Sequence, residues 1–238
     1  FPEEMNRRIV DLLCDLHFAP TAVARENLLR EGVAEDSIVV TGNTVIDALH
    51  WIVALPPSAS ISERLPPVPT RVLLVTAHRR ENFGLPLEHI CGALRDLASR
   101  YGDLLHIVYP VHRNPHVQAP VYRLLGDLPN ISLLPPLDYL SLVHLMKRAY
   151  LVLTDSGGIQ EEAPGLGKPV LVLRDVTERP EGVDAGTAKV VGTDRERIVR
   201  ETARLLDDQV EYERMARSVA PYGDGHAAER VVGALLGK

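Results

Sequence analysis

An alternation that begins at Arg71 constrains this chain more than any other feature. Short, nearly continuous apolar runs occur at Val72-Leu73-Leu74-Val75, His106-Ile107-Val108-Tyr109, Ile131 to Leu134, Leu151-Val152-Leu153, Val170 to Leu173 and Lys189 to Val191. Between them, apolar residues recur at helical spacing over Pro86 to Arg100, Val117 to Leu125, Tyr139 to Arg148 and Ile159 to Leu166. A strand that is apolar on both faces needs cover on both faces, and helices crossing between parallel strands supply it. The pattern predicts an α/β fold with a doubly wound parallel sheet of Rossmann-like type. Helices over Arg195 to Leu206, Val210 to Val219 and His226 to Leu236 then close the chain, with a turn at Pro221-Tyr222-Gly223-Asp224-Gly225 before the last.

Upstream, Met5, Ile9, Leu12, Leu13 and Leu16 share one helical face, which predicts a helix from Glu3 to Asp15 with Pro2 in its first turn. A second helix runs from Thr21 to Glu31 and stops at Gly32. Ser37 to Val40 reads as a strand leading into Thr41-Gly42-Asn43, and Thr44 to Val53 as a helix. Residues 56–70 are rich in Pro and Ser, the composition of a linker between folding units, so the sequence divides into 1–55, 56–70 and 71–238. With 238 residues, 45% hydrophobic and 24% charged, the chain buries a substantial core and is not globally disordered. No apolar run approaches membrane-spanning length. A net charge of −6 without a basic run argues against nucleic acid or an anionic membrane surface as partner. Cys14 and Cys91 lie in apolar helical patterns and read as buried thiols of a reducing compartment. With no signal peptide in view, the expected location is cytoplasmic.

Open parallel sheets bind ligands beyond the carboxyl ends of their strands, so the loops after the strands hold the candidate site. After Leu153 comes Thr154-Asp155-Ser156-Gly157-Gly158, running into a helix that carries Gln160, Glu161 and Glu162. Paired glycines admit close backbone approach, and a helix start offers unpaired N–H groups, which suits a diphosphate. The same residues also read as a plain N-cap formed by Asp155 or Ser156. Glu162 sits where it could accept from ribose hydroxyls, or be a solvated acid near a helix start. After the first strand of the sheet, Thr76-Ala77-His78-Arg79-Arg80-Glu81-Asn82 offers an imidazole and cations to an anion; its alternative is a solvated loop. Tyr109 to His116 includes His112, a candidate hydrogen-bonding group; His106, His112 and His116 lack partners at a familiar metal spacing, and no metal site is expected. In Arg174 to Glu181, Arg179 or Glu178 either touches a sugar or phosphate or pairs with the other at the surface. Together the four loops describe a polar, anionic ligand. The chain contains neither Gly-x-Gly-x-x-Gly nor a Walker lysine motif, which argues against dinucleotide and ATP enzymes. Asp155-Ser156-Gly157-Gly158 also occurs around trypsin-like nucleophiles, but those proteases are all-β, and Ser156 lies between a buried strand and a helix. Thr154 rules out a Gly-x-Ser-x-Gly elbow.

Six segments taken together carry a specific likeness: Pro2-Glu3-Glu4-Met5-Asn6-Arg7, Thr41-Gly42-Asn43-Thr44-Val45-Ile46-Asp47-Ala48-Leu49, His78-Arg79-Arg80-Glu81-Asn82, Thr154 to Pro164, Thr177-Glu178-Arg179-Pro180-Glu181 and Pro221 to His226. In this order they resemble the bacterial non-hydrolysing UDP-N-acetylglucosamine 2-epimerases. The resemblance implies a glycosyltransferase-B-type fold of two Rossmann-like halves, with 1–55 as the end of the first half and 71–238 as the UDP-binding half. It implies interconversion of UDP-GlcNAc and UDP-ManNAc through elimination and re-addition of UDP, for surface polysaccharide, with no NAD, no required metal and a homodimeric assembly. Ser156, Gly157 and Gly158 would bind the diphosphate, Glu162 the ribose and Arg79 the UDP. His78 would assist the leaving group and Glu3 would be one of three functional acids. The other two acids and an amino-terminal Arg that contacts UDP are expected upstream of Phe1. His112 and Arg179 would make regulatory or sugar contacts. Two other classes fit less of the pattern: a UDP-sugar glycosyltransferase and a non-catalytic nucleotide-sugar binding module.

Overall fold

A computed structural model describes residues 2–57, 70–217 and 221–237. The expected linker at 56–70 falls largely on 58–69, outside the described residues. The chain divides into two compact units, one formed by Phe1–Trp51 with Pro221–Lys238 and the other by Ile52–Ala220.

In the larger unit, strands β3 (Arg71–Thr76), β4 (Leu105–Pro110), β5 (Ile131–Leu134), β6 (Leu151–Thr154), β7 (Val170–Val172) and β8 (Ala188–Val190) form one sheet in the order β5-β4-β3-β6-β7-β8. Every neighbouring pair is parallel. This is the α/β, doubly wound, Rossmann-like arrangement expected from the apolar runs. Crossovers are made by α4 (Leu85–Tyr101), α5 (Pro115–Leu125), α6 (Tyr139–Arg148), α7 (Gly157–Gly165) and the short α8 (Pro180–Asp184), followed by α9 (Arg195–Asp207) and α10 (Gln209–Ala216).

Side chains alternate across a strand. Leu73 and Val75 of β3 join a cluster with Leu87, Ile90, Leu94 and Leu97 of α4 and Ile198 of α9, while Val72 and Leu74, equally buried, point to the other face. Each such leucine stabilises the fold by about 1.5–3 kcal/mol relative to leaving it in water. The order reverses direction between β3 and β6, which therefore end side by side at the topological switch point. Thr76 is in register with Thr154, and their hydroxyls are 2.6 Å apart.

The smaller unit holds α1 (Glu3–Asp11), a parallel pair of strands β1 (His17–Ala19) and β2 (Ile38–Val40), α2 (Ala22–Arg30), the greater part of α3 (Thr44–Ala54), and α11 (Ala227–Leu235). Residues 221–238 thus group with the amino-terminal segment, which corrects the division that placed them in 71–238. Two contacts explain it. The Asp47 carboxylate accepts from the N–H groups of Ala227 (3.1 Å) and Ala228 (2.8 Å) and caps α11. Gly42 and Gly223, at φ +86° and +131°, approach so closely that a Cβ built on Gly42 would lie 3.2 Å from Gly223 Cα. Side chains at either position would strain the backbone and force the two turns apart.

Two other expectations are corrected. The first helix stops at Asp11, and Cys14, read as a buried thiol, is exposed because it lies beyond a helix that buries no residue. Strand β1 is only three residues long, too few for an alternating pattern to show in the sequence. Cys91 is buried as expected, and burial pushes its thiol up to about 12. Among the described residues no helix is long and apolar enough to cross a membrane.

Candidate active site at the sheet's switch point

Strand order brings together two of the loops singled out above. The residues after β3 and those after β6 lie at adjacent strand ends, and Asp155 joins them. Its carboxylate is wholly buried and accepts at Oδ2 from the backbone N–H groups of His78 and Arg79, both at 2.8 Å, and from Asn82 Nδ2 at 3.0 Å. Asn82 also donates to the Leu173 carbonyl at 3.1 Å, tying in the loop after β7. Beneath, the Tyr109 hydroxyl donates to the Ala77 carbonyl at 2.6 Å. The His78 loop is therefore held at both backbone and side chain rather than solvated throughout.

The N-cap alternative for Ser156 is resolved by the same bonds. Helices α5, α6, α9 and α10 are each capped by an Asn or Asp side chain, namely Asn114, Asp138, Asp194 and Asp208. Ser156 occupies the N-cap position of α7, but neither its hydroxyl nor the committed Asp155 carboxylate caps the helix. Among the described residues, the first N–H groups of α7 have no side-chain acceptor at the positive end of its dipole. Two cations flank them. A Cβ built on Gly157 would lie 3.7 Å from Nη2 of Arg79 and 3.7 Å from Nη2 of Arg179. Arg179 is bonded through Nε to Glu161, and its Nη1 donates to the Glu178 carbonyl. The surface pairing of Glu178 with Arg179 is not what forms: the Glu178 carboxylate meets Arg174 instead, at 3.4 Å. Bare amides and two guanidinium groups over a side-chain-free position can hold an anion with two or more phosphate oxygens.

Glu162 is buried, with its Oε1 3.4 Å from a Cβ built on Gly158. Its Oε2 accepts from the Tyr139 hydroxyl at 2.8 Å. Burial, the larger influence, raises the Glu162 carboxyl above its ordinary value, and the Tyr139 bond draws it back. The phenol itself is pushed well up by burial and by this acceptor.

His78 is partly exposed. Its ring stacks on that of His112, with centroids 5.3 Å apart and planes 14° from parallel. Burial, chiefly, holds the His78 imidazole below its ordinary value; Asp155 opposes this, and His112 and Arg79 add to it. His112 accepts at Nδ1 from the Asn114 N–H at 3.1 Å, which leaves Nε2 as the protonated nitrogen of its neutral ring. The other two histidines of that segment diverge: His106 faces Ser132 Oγ at 2.8 Å and His116 stacks on Phe83.

His78, Arg79, His112, Ser156, Gly157, Gly158, Glu162 and Arg179 all belong to the larger unit. Glu3 begins α1 in the smaller one and is exposed. The structural roles of Asp155, Asn82 and Tyr139 escaped the sequence reading. A buried aspartate at a strand end and a tyrosine opening the neighbouring helix were visible, but their partners were not.

Residues 1–236 match the family described as UDP-N-acetylglucosamine 2-epimerase. The chain is 53% identical over 242 residues to the UDP-N-acetylglucosamine 2-epimerase of Escherichia coli K12, covering 99% of this chain and 64% of that protein. Among solved structures it resembles Staphylococcus aureus MnaA in a co-structure with UDP, with 48% identity, TM-score 0.93, and 99% of this chain against 64% of that one. It also resembles the UDP-GlcNAc 2-epimerase of Neisseria meningitidis bound to UDP-GlcNAc, with 43% identity, TM-score 0.92, and 100% of this chain against 66% of that one. The chain spans about two thirds of the length of the relatives it matches, and within that span it belongs to the UDP-N-acetylglucosamine 2-epimerase family.

Proposed function

We propose that the larger unit holds the UDP portion of UDP-N-acetylglucosamine and that the protein interconverts this nucleotide sugar with UDP-N-acetylmannosamine by inverting C2. The observation that carries the reading is the meeting, at one switch point, of the uncapped start of α7, two guanidinium groups and an imidazole on a fixed loop. The named binding of UDP by the S. aureus protein and of UDP-GlcNAc by the N. meningitidis protein supports it.

Inversion by elimination needs a C2 proton removed while the bond from C1 to the diphosphate oxygen breaks. UDP must then stay bound until it returns to C1 on the face it left, while a proton is delivered to the opposite face of C2. The amides of Gly157 and Gly158, the Ser156 hydroxyl and the Arg79 and Arg179 guanidinium groups spread the charge that builds on the departing diphosphate. His78 donates to that oxygen, and Glu162 accepts from the ribose hydroxyls. Glu3 enters as a carboxylate for proton exchange at C2, and His112 by stacking on His78. A homodimer belongs to the same reading.

Incubation with UDP-GlcNAc in deuterated water tests it. Deuterium should appear at C2 of both sugars. Transfer of the sugar to an acceptor without exchange would indicate a glycosyltransferase, and UDP affinity without turnover a binding module.

The Tyr139 bond makes a second prediction. Tyr139→Phe removes the donor that draws the raised Glu162 carboxyl down, so the carboxyl protonates more readily as pH falls. UDP affinity, measured by calorimetry, should drop about 3- to 10-fold at neutral pH, the worth of one such bond. The loss should deepen toward acid pH. An affinity equal to the parent's at both ends of the range would remove Tyr139 from ligand binding.

A further inference from the structure

One buried charge beside the site is satisfied on one oxygen only. Three donors converge on Asp155 Oδ2. Oδ1, wholly buried in the same carboxylate, has no hydrogen-bond partner among the described residues and faces His78 Nδ1 at 3.7 Å. A buried carboxylate oxygen favours a donor aimed at it, and the ring nitrogen becomes one when it carries a proton. The backbone N–H of the same histidine is already anchored to Oδ2, so ring and carboxylate are held in one geometry.

We propose that Asp155 is the positioning residue for His78: its free oxygen keeps the imidazole proton on Nδ1, which leaves Nε2 for the ligand and makes binding of an anion there coupled to uptake of a proton. The tautomer stands on geometry alone. The coupling rests on the reading above, in which a diphosphate occupies the site.

The groups facing His78 set the sign. Burial, His112 and Arg79 disfavour the charged ring and Asp155 favours it, with the balance keeping the free imidazole neutral at neutral pH. In that state Nε2 is a lone pair and would repel a phosphate oxygen. An anion beside Arg79 offsets the guanidinium charge and favours the imidazolium. A solvent proton then adds to Nε2, so that both nitrogens donate, one to Asp155 and one to the ligand. Uptake is confined to the pH interval between the free and the bound midpoints of the ring and vanishes above and below it.

The ring nitrogens of His78 in the ligand-free protein can be read by nitrogen-15 NMR, with His78→Gln assigning the signals. The neutral ring should carry its proton on Nδ1. In Asp155→Asn the amide oxygen takes the Oδ2 position and the amide nitrogen faces the ring as a donor, so the proton should move to Nε2 and the titration midpoint should fall by about one pH unit or more. Calorimetry of UDP binding in buffers of different ionisation enthalpy should show uptake approaching one proton per UDP, collapsing toward zero in the variant. An Nε2-protonated ring in the parent protein, or an unchanged tautomer in Asp155→Asn, overturns the proposal. Should the variant fail to fold, the parent's tautomer still decides. If UDP does not bind at all, the diphosphate reading fails while the tautomer continues to judge Asp155.

Discussion

Replacing His78 by asparagine is expected to slow C2 epimerisation of UDP-N-acetylglucosamine by about 100- to 10,000-fold, the range lost with a positioned proton donor. The fold should survive the change. The ring stacks on the imidazole of His112, faces the carboxylate of Asp155 and is not a member of the apolar core cluster. The bond that holds the loop is made by the backbone N–H of residue 78, which asparagine keeps. Asparagine can still donate a hydrogen bond to a phosphate oxygen, so binding should weaken far less than turnover falls. It cannot deliver a proton to the departing oxygen or take it back. Thermal unfolding should stay within about 2 °C of the parent, as for other substitutions outside a packed core. A variant with near-normal kcat would show that His78 carries no proton in the reaction.

Gly157→Ala should separate stability from binding in the opposite direction. The backbone at Gly157 is not among the positive-φ glycines, and a methyl group would meet its nearest neighbours, two guanidinium nitrogens, at 3.7 Å, an ordinary contact. Alanine is also the better helix former, so the protein should be unchanged or up to about 1 kcal/mol more stable. That methyl, however, stands between the two cations where the phosphate oxygens must reach the amides. Loss of one or two charge-assisted hydrogen bonds predicts UDP binding about 10- to 100-fold weaker. Titration calorimetry and a melting curve on the same sample read both halves. Undiminished affinity would mean that the anion does not sit against the start of α7.

Individual elements of this protein were legible in the chain because burial writes its own period. Strands β3, β4 and β6 are covered on both faces, so their central residues form nearly continuous apolar runs, and the helices between them show one buried stripe each. The loop positions after these strands, and with them His78, Arg79, Ser156, Gly157 and Glu162, follow from the same pattern. Tertiary structure decided which of those loops meet. Nothing in a run of apolar residues says that β3 pairs with β6 rather than β5, and that choice brings His78 to Asp155 across 77 positions of sequence. The same holds for Tyr139 with Glu162, for Arg79 and Arg179 over Gly157, and for α11 capped by Asp47. Periodicity records how each residue partitions between water and core, a one-body property. Strand order and polar pairing are properties of two distant residues at once, and they come into being when the sheet is assembled.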